Sequence, residues 1–480
     1  MLPYTVFTST LSANPPAFPG AEGFGAQASG GRGGQVIYVT TLAPSGPGSL
    51  QAALDTPGPR YILFRVSGVI PAAAHLTYDD VTIAGQTSPG GVIIRGFHTT
   101  EVPYCDQNPS CIGGARTAEN WILRHVRLRP GTGPDAFDDG LRLLHTKRAI
   151  VDHVSIANAT DEAVQISYSS DITIQYSIIA ETVGSHAQYG GMLLNYSHPN
   201  VGWPLTRISV HHNVWNRIEG RLPEVSCESP EAAGSTIELE LSNNLLWDPG
   251  YHIDMTNGTF PYEPWNQPVF YRFNWVGNYA QVRSNFPYGL IYFRDPLVAG
   301  QTTTYFHDNR LSRYPGWTDY QLNYCCNDYP PNPLPGVPAY AVSARHPFPA
   351  ITYHPSASLT GLLYARAGAR PRDPMDRRLM APLASGAIDP TPRHLNPYGD
   401  AFLLDFPAGS PPAPPQDTDL DGMPDEWELA HGLDPNVQDH NGTQLSVPLT
   451  GIAGYTNLEC YLHQLAQRLE SDLFRNGFES

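Results

Sequence analysis

Carboxylates collect at two places in this 480-residue chain, and the first lies near its middle. Asp135, Asp138 and Asp139 stand in a Gly-rich turn just before one apolar run, and Asp161 and Glu162 end the loop after the next. If successive runs stack as neighbouring strands, matching positions lie ~4.8 Å apart. The two acidic groups then converge on one point. Clustered hard oxygen ligands suit a divalent cation, calcium above all. The bland alternative is two solvated turns on an acidic surface. Downstream come His211-His212-Asn213, then Arg217, then Arg221-Leu222-Pro223. A nearby proline restricts the backbone that carries Arg221. That suits a fixed cation, although a plain surface arginine fits the same residues. His153 and His212 follow apolar strand residues and are expected to pack rather than react.

The second place is the run Asp417 to Glu428, DTDLDGMPDEWE. Counted as a twelve-position loop, it puts Asp417, Asp419 and Asp421 at positions 1, 3 and 5. Gly422 falls at the sharp turn, Met423 at the backbone-carbonyl position, Asp425 at position 9 and Glu428 at position 12. This is the ligand pattern of an EF-hand-type calcium loop. A second copy has decayed: Leu449, Gly451 and Ala453 stand where acids belong, and Cys460 stands at position 12. No strong calcium site is expected there.

Composition limits what these groups can serve. With 28 Lys+Arg against 45 Asp+Glu the formal charge is −17, which argues against nucleic acid or an anionic membrane as the main partner. No stretch approaches a membrane span. Forty-four Gly and 47 Pro exclude a coiled coil or helical bundle, and 41% hydrophobic content excludes disorder throughout. The six cysteines, Cys105, Cys111, Cys227, Cys325, Cys326 and Cys460, mildly favour an oxidising compartment, with a local Cys105–Cys111 bridge an open option. Residues 1–16 make a poor signal peptide as written.

The elements that must position these residues are short. Between residues 36 and 310 lie apolar runs rich in Ile, Val, Leu and Tyr with turn residues between them, such as Val36–Thr40, Val81–Ala84, Ala149–Ile156, Ile208–Trp215 and Ile237–Trp247. They read as strands, with little helical periodicity between. Asn213, Asn244, Asn278 and Asn309 recur at equivalent places, spaced as in a repeat architecture. Repeated strands without intervening helices predict an all-β parallel β-helix in which Asn residues align into hydrogen-bonded ladders; the competing reading is a β-sandwich. Leu362–Ala369 and Met375–Leu383 are expected to be short helices. The chain therefore divides into an N-terminal extension (1–16), a β-helix with a wrapping segment (17–405), a Pro-rich linker (406–416), a calcium module (417–463) and a tail (464–480).

Several segments, in this order, carry a resemblance: FPGAEGFG at 18–25, GPR at 58–60, VSG at 66–68, IAGQTSPG at 83–90, RLRPG at 127–131, VDHVS at 151–155, TDEA at 160–163, HHN at 211–213 and RLP at 221–223. Together they resemble the pectate lyase family, polysaccharide lyase family 1. AGARPRDPMDRR, from Ala367 to Arg378, is similar to a segment following the β-helix in one bacterial branch. The C-terminal module resembles thrombospondin type 3 or dockerin-like calcium repeats of secreted bacterial proteins. The resemblance implies a right-handed parallel β-helix that cleaves polygalacturonate by calcium-assisted β-elimination, leaving 4,5-unsaturated ends. It implies Asp139 and Asp161 as calcium ligands with Asp138 and Glu162 as neighbours that could join them, and Arg221 as the catalytic arginine. Asp152 and His153 match a motif that looks structural.

The chain departs from that pattern in places. Gln165 stands where a further ligand carboxylate is usual, and its uncharged amide should weaken the metal. Ser226 replaces a second arginine. No lysine is evident to hold a substrate carboxylate near His186–Gly191, so His186 or Arg217 is the expected substitute. The implied chemistry is sound: the C5 proton of a uronate is poorly acidic, and a cation on the adjacent carboxylate stabilises the charge that develops there. Calcium also bridges an acidic protein to an acidic polymer. Arginine is normally protonated, so Arg221 is either a base in an unusual setting or an electrostatic stabiliser. The expected protein is a secreted, monomeric lyase with calcium as its cofactor. The alternatives are a pectin lyase on methyl-esterified polymer, a silent glycan-binding β-helix, and a hydrolase, which would need paired carboxylates.

Overall fold

The computed structural model describes residues 14–99, 117–131, 138–183, 190–226, 228–255, 268–293, 300–317, 319–325, 337–395, 398–400, 403 and 410–475. Asp135, His186, Cys105, Cys111, Cys227, Cys326 and most of the 1–16 extension lie outside them. Among the described residues three parallel sheets of ten, nine and nine strands run the length of the molecule. Each strand pairs with its counterpart one coil earlier and one coil later: Thr146–Asp152 lies between Ala118–Arg124 and Ser170–Gln175. The fold is the expected right-handed parallel β-helix.

Alternation of side chains explains the coil. In Leu141–Leu144, Leu141 and Leu143 enter the central core while Arg142 points outward. Stacking identical inward positions makes one continuous apolar column from Val39 to Leu322, with Trp121, Trp215 and Trp275 among its fully buried members.

The longer apolar runs differ from their reading as single strands. Ala149–Ile156 is two strands, Thr146–Asp152 and Ser155–Ala157, separated at His153 with φ 53°. His125, Tyr176, His212 and Asn243 break their runs in the same way, at φ 54°, 47°, 56° and 51°. One left-handed residue turns the chain from the first sheet into the second without a loop. Apolar periodicity is blind to this, because the residues on both sides are equally buried. The conformation is disfavoured for non-glycine residues. Here ring stacking between coils offsets it: His125 on His153 at 4.9 Å, His153 on Tyr176 at 5.3 Å and Tyr176 on His212 at 4.8 Å. The next position carries the Asn ladder. Asn213 donates to Asn244, Asn244 to Asn278 and Asn278 to Asn309, at 3.1, 3.2 and 2.9 Å. Each amide oxygen also takes a backbone N–H from the preceding coil.

Two helices, Leu359–Arg366 and Pro374–Ser385, cover the outer face of the second sheet, close to where they were expected. The C-terminal module is docked against the first coils. Met423, Leu458, Tyr461, Leu462 and Leu465 pack on Tyr61, Leu63 and Ala84 of the first sheet. Arg32 donates through Nε to both oxygens of Glu459 at 2.9 and 3.0 Å. The boundary drawn at 463 falls inside one continuous helix, Asn457–Arg475, because its apolar face lies on the β-helix over most of its length. Thr456 and Glu459 form a reciprocal capping box at its start.

Candidate active site

The acidic turn and the loop one coil later meet as the spacing predicted. Asp139, Asp161 and Glu162 each present a carboxylate oxygen within 4.8 Å of the others. Backbone of successive coils fixes them. Glu162 N–H donates to Asp139 Oδ1 at 3.0 Å, and Gly140 N–H to the Glu162 carbonyl at 3.1 Å. Thr160 and Asp161 N–H both donate to the Asp138 carbonyl. Burial pushes the Asp139 carboxyl up to about 7; Arg142 pulls it down while Asp161 and Asp138 push it further up.

Arg221 arrives from two coils beyond. Met192 N–H donates to its carbonyl at 2.7 Å. A Cβ on Gly191 would stand 1.9 Å from that same carbonyl, so only glycine lets the coils close here. Arg221 itself is left-handed, at φ 54°. Its guanidinium bonds Glu162, the member of the carboxylate cluster nearest to it, and donates through Nε to Glu224 at 3.0 Å. The cation predicted from R-x-P and the metal-type carboxylates therefore form one constellation.

Other candidates fall elsewhere. Asp138 is half exposed and pairs with Arg142 at 3.5 Å. Gln165 lies on the third-sheet strand beside Arg142, and its amide donates to Asn195 at 3.3 Å. Arg217, expected toward the substrate, is instead engaged in the interior. It is 2% exposed, with Nε on Glu181 at 2.7 Å and the rest of its guanidinium on Asp389, Thr391 and Pro392. It ties the wrapping segment to the second sheet. Position in the sequence could not show that, because both partners are remote. Asp152 is likewise structural: Arg124 and Gln175 hold it from either side at 2.7 Å. The residue that sequence reading missed is Arg142, which donates to Asp139 at 2.7 Å. Its signal was present as a charged residue between two apolar ones on a strand. Asp138, Asp139, Asp161, Glu162 and Glu224 less Arg142 and Arg221 leave five minus two, or three negative charges, with Asp139 ionised and two while it holds its proton, in either case room for a divalent cation.

The C-terminal loop closes differently from its reading. Asp417, Asp419 and Asp421 cluster, and Asp421, Glu428 and Asp439 form a second set sharing Asp421. Asp425 does not join. Its two oxygens accept from the Thr418 N–H and hydroxyl, each at 2.7 Å. Asp439, beyond the twelve-residue window, takes its place, with its N–H on Asp421 at 3.0 Å. Met423 sends its side chain into the contact with the first sheet. Glu428 is fully buried, and neither carboxylate oxygen has a hydrogen-bond partner among the described residues. Burial and then Asp421, Asp419 and Asp439 push it up to about 8. Buried, orphaned and surrounded by like charge, it fits a cation ligand.

Fold and site define a parallel β-helix protein with a carboxylate–arginine cluster beside its third sheet. No family model matches the chain. Curated proteins called probable pectate lyase C are similar along nearly all of it. The one from Emericella nidulans is 30% identical over 463 residues, 94% of this chain and 92% of that protein. The one from Aspergillus flavus is 29% identical over 478 residues, 96% of this chain and 95% of that protein. The chain belongs to the pectate lyase family. Among solved structures, the cedar pollen allergen jun a 1 aligns over 73% of this chain and 93% of its own, with 13% identity and a TM-score of 0.47. No helix among the described residues is long and apolar enough to cross a membrane.

Proposed function

We propose that this protein is an extracellular lyase that cleaves polygalacturonate by calcium-assisted β-elimination. The observation that carries the reading is the contact of Arg221 with Glu162 inside the Asp139–Asp161–Glu162 cluster. A buried, proton-retaining Asp139 and a net negative cluster fit a hard divalent ion. Asp139, Asp161 and Glu162 would hold it, with Gln165 a neutral further ligand. Calcium, when bound, neutralises the substrate carboxylate and lowers the energy of the charge developing beside C5.

The chain's own residues do the rest. Arg142 holds the Asp139 carboxylate in place from the outward face of its strand. Arg221, fixed by Gly191 and Met192 below and by Glu224 beside it, presents a planar cation to that developing charge. Whether it also takes the proton is read by Arg221→Lys, which keeps the charge and loses the planar fork. Asp417, Asp419, Asp421, Glu428 and Asp439 would hold a second calcium that keeps the C-terminal module shaped against the first coils.

The test is ultraviolet absorbance of polygalacturonate with protein plus calcium, with chelator, and with Arg221→Ala. Rising absorbance from an unsaturated product, abolished in the last two, supports the proposal. New reducing ends without absorbance would mean hydrolysis. Neither signal, on this polymer or its methyl ester, would overturn the assignment.

A further inference from the structure

A second cationic feature lies on the same coils as the catalytic cluster but at the far end of the third-sheet strands. Those strands, such as Leu141–Leu144, are four residues long, or ~13 Å. Beyond them the chain enters the first sheet, and there a groove of about 560 Å³ opens between Glu22–Gln27 and the strand starts. Arg148, Asp171 and Arg207 line it from three successive coils. All three are left-handed, at φ 54°, 60° and 58°, so each is set out from its strand at the same place. Lys147 lies beside them with its ammonium 4.1 Å over the Trp203 ring. Phe24 forms the wall, under the Arg207 guanidinium at 5.5 Å.

We infer that this groove is a second polyuronate-binding site, which holds the polymer while the Arg221 site cuts it. Lys147, Arg148 and Arg207 line it against Glu22 and Asp171, three cations to two acids, on a chain of net charge −17. The two acids that line it are engaged: Glu22 accepts from the Thr352 N–H at 2.9 Å, and Asp171 accepts from Arg207 at 2.6 Å. Arg148 pairs with Glu119 at 2.9 Å. Both arginine side chains are 51% exposed, and exposed ion pairs are weak enough to be exchanged for a ligand carboxylate. Arg148 and Arg207 are two coils apart, ~9.6 Å. An oligomer with a carboxylate on each residue spans that distance; one carboxylate does not. The direction from one arginine to the other runs along the helix axis, the direction in which Asp139, Asp161 and Arg221 are also strung. The inference rests on the polyuronate reading of the Asp139–Arg221 site.

The experiment is titration calorimetry of the full chain with an unreacted oligogalacturonate in chelator, where the proposed cleft is not loaded and no cleavage occurs. The variant is Lys147→Gln with Arg148→Asn and Arg207→Asn, since Asn tolerates the left-handed backbone. Wild type should bind, more weakly as salt rises, and the variant should bind at least tenfold more weakly with an unchanged unfolding temperature. With calcium, the variant's KM on long polymer should rise severalfold at constant kcat. A fully methyl-esterified oligomer should not bind the groove. Absence of calcium-free binding in wild type, or equal binding in the variant, overturns the inference. Absence of any cleavage by wild type would instead overturn the lyase reading, while the calorimetric difference could still stand.

Discussion

Substituting Glu428 by Gln should stabilise the calcium-free protein and destabilise the calcium-loaded one. Without metal, Glu428 is buried among Asp421, Asp419 and Asp439 and is pushed from 4.5 up to about 8. A carboxyl raised in the fold removes stability as pH climbs from its unfolded value, and the loss is complete above its folded one. The affected window is therefore about 4.5 to 8. At ~1.4 kcal/mol per unit the penalty reaches up to about 5 kcal/mol at pH 8 or higher, shared among the coupled carboxylates. Calcium at a hundred times its dissociation constant returns about 2.7 kcal/mol, and more at higher excess. Gln abolishes the charge penalty and also a ligand. Differential scanning calorimetry at pH 8 should thus give two crossing results: the variant melts higher than wild type in chelator and lower in excess calcium. In chelator the wild-type melting temperature should fall between pH 5 and pH 8, and the variant should show a smaller fall, the remainder belonging to Asp139 and the other raised carboxyls. A variant that melts lower than wild type by the same amount in both conditions would refute the reasoning. Glu428 would then be an ordinary buried side chain.

Three further outcomes are expected. Arg221→Ala should lower kcat by about 10²–10³, as for loss of one donor aimed at a developing oxyanion, measured by product absorbance below the variant's unfolding temperature, which should itself drop because Glu162 and Glu224 lose their partner. Apparent calcium affinity at the cleft should fall by up to tenfold per pH unit below about 7 and level off above it. Below about 7 Asp139 keeps a proton that the metal must displace, so calcium titrations of activity at several pH values read this directly. Asn278→Ala should cost about 1–3 kcal/mol by chemical denaturation, since the Asn244 amide and N–H lose their acceptor inside the coil stack.

The architecture was legible in the chain because inward apolar positions repeat once per coil. The ladder Asn213, Asn244, Asn278 and Asn309 betrayed the same repeat through a polar residue that has no place in a core unless it meets its own kind. That the two acidic turns would meet was readable from their spacing one coil apart, and Arg221 was singled out by the proline beside it and by the resemblance. The corners at His125, His153, Tyr176 and His212 were not readable, because a left-handed residue leaves the apolar pattern on both sides intact.

Residue type and spacing along the chain determined the coil, the acidic turns and the five-carboxylate character of the C-terminal loop's surroundings only in part. Which carboxylates close on which partners was decided by contacts between residues far apart in sequence. Arg217 and Arg221 are four residues apart and look alike, yet one is locked to Glu181 and the wrapping segment while the other faces Glu162. Asp425 fits the loop's register but turns to Thr418, and Asp439, 18 residues after Asp421, takes its place. The module's docking on Tyr61 and Leu63 was equally invisible, because those side chains read as strand residues whichever element covers them. Local pattern sets which face a residue shows; only the folded chain supplies what that face meets.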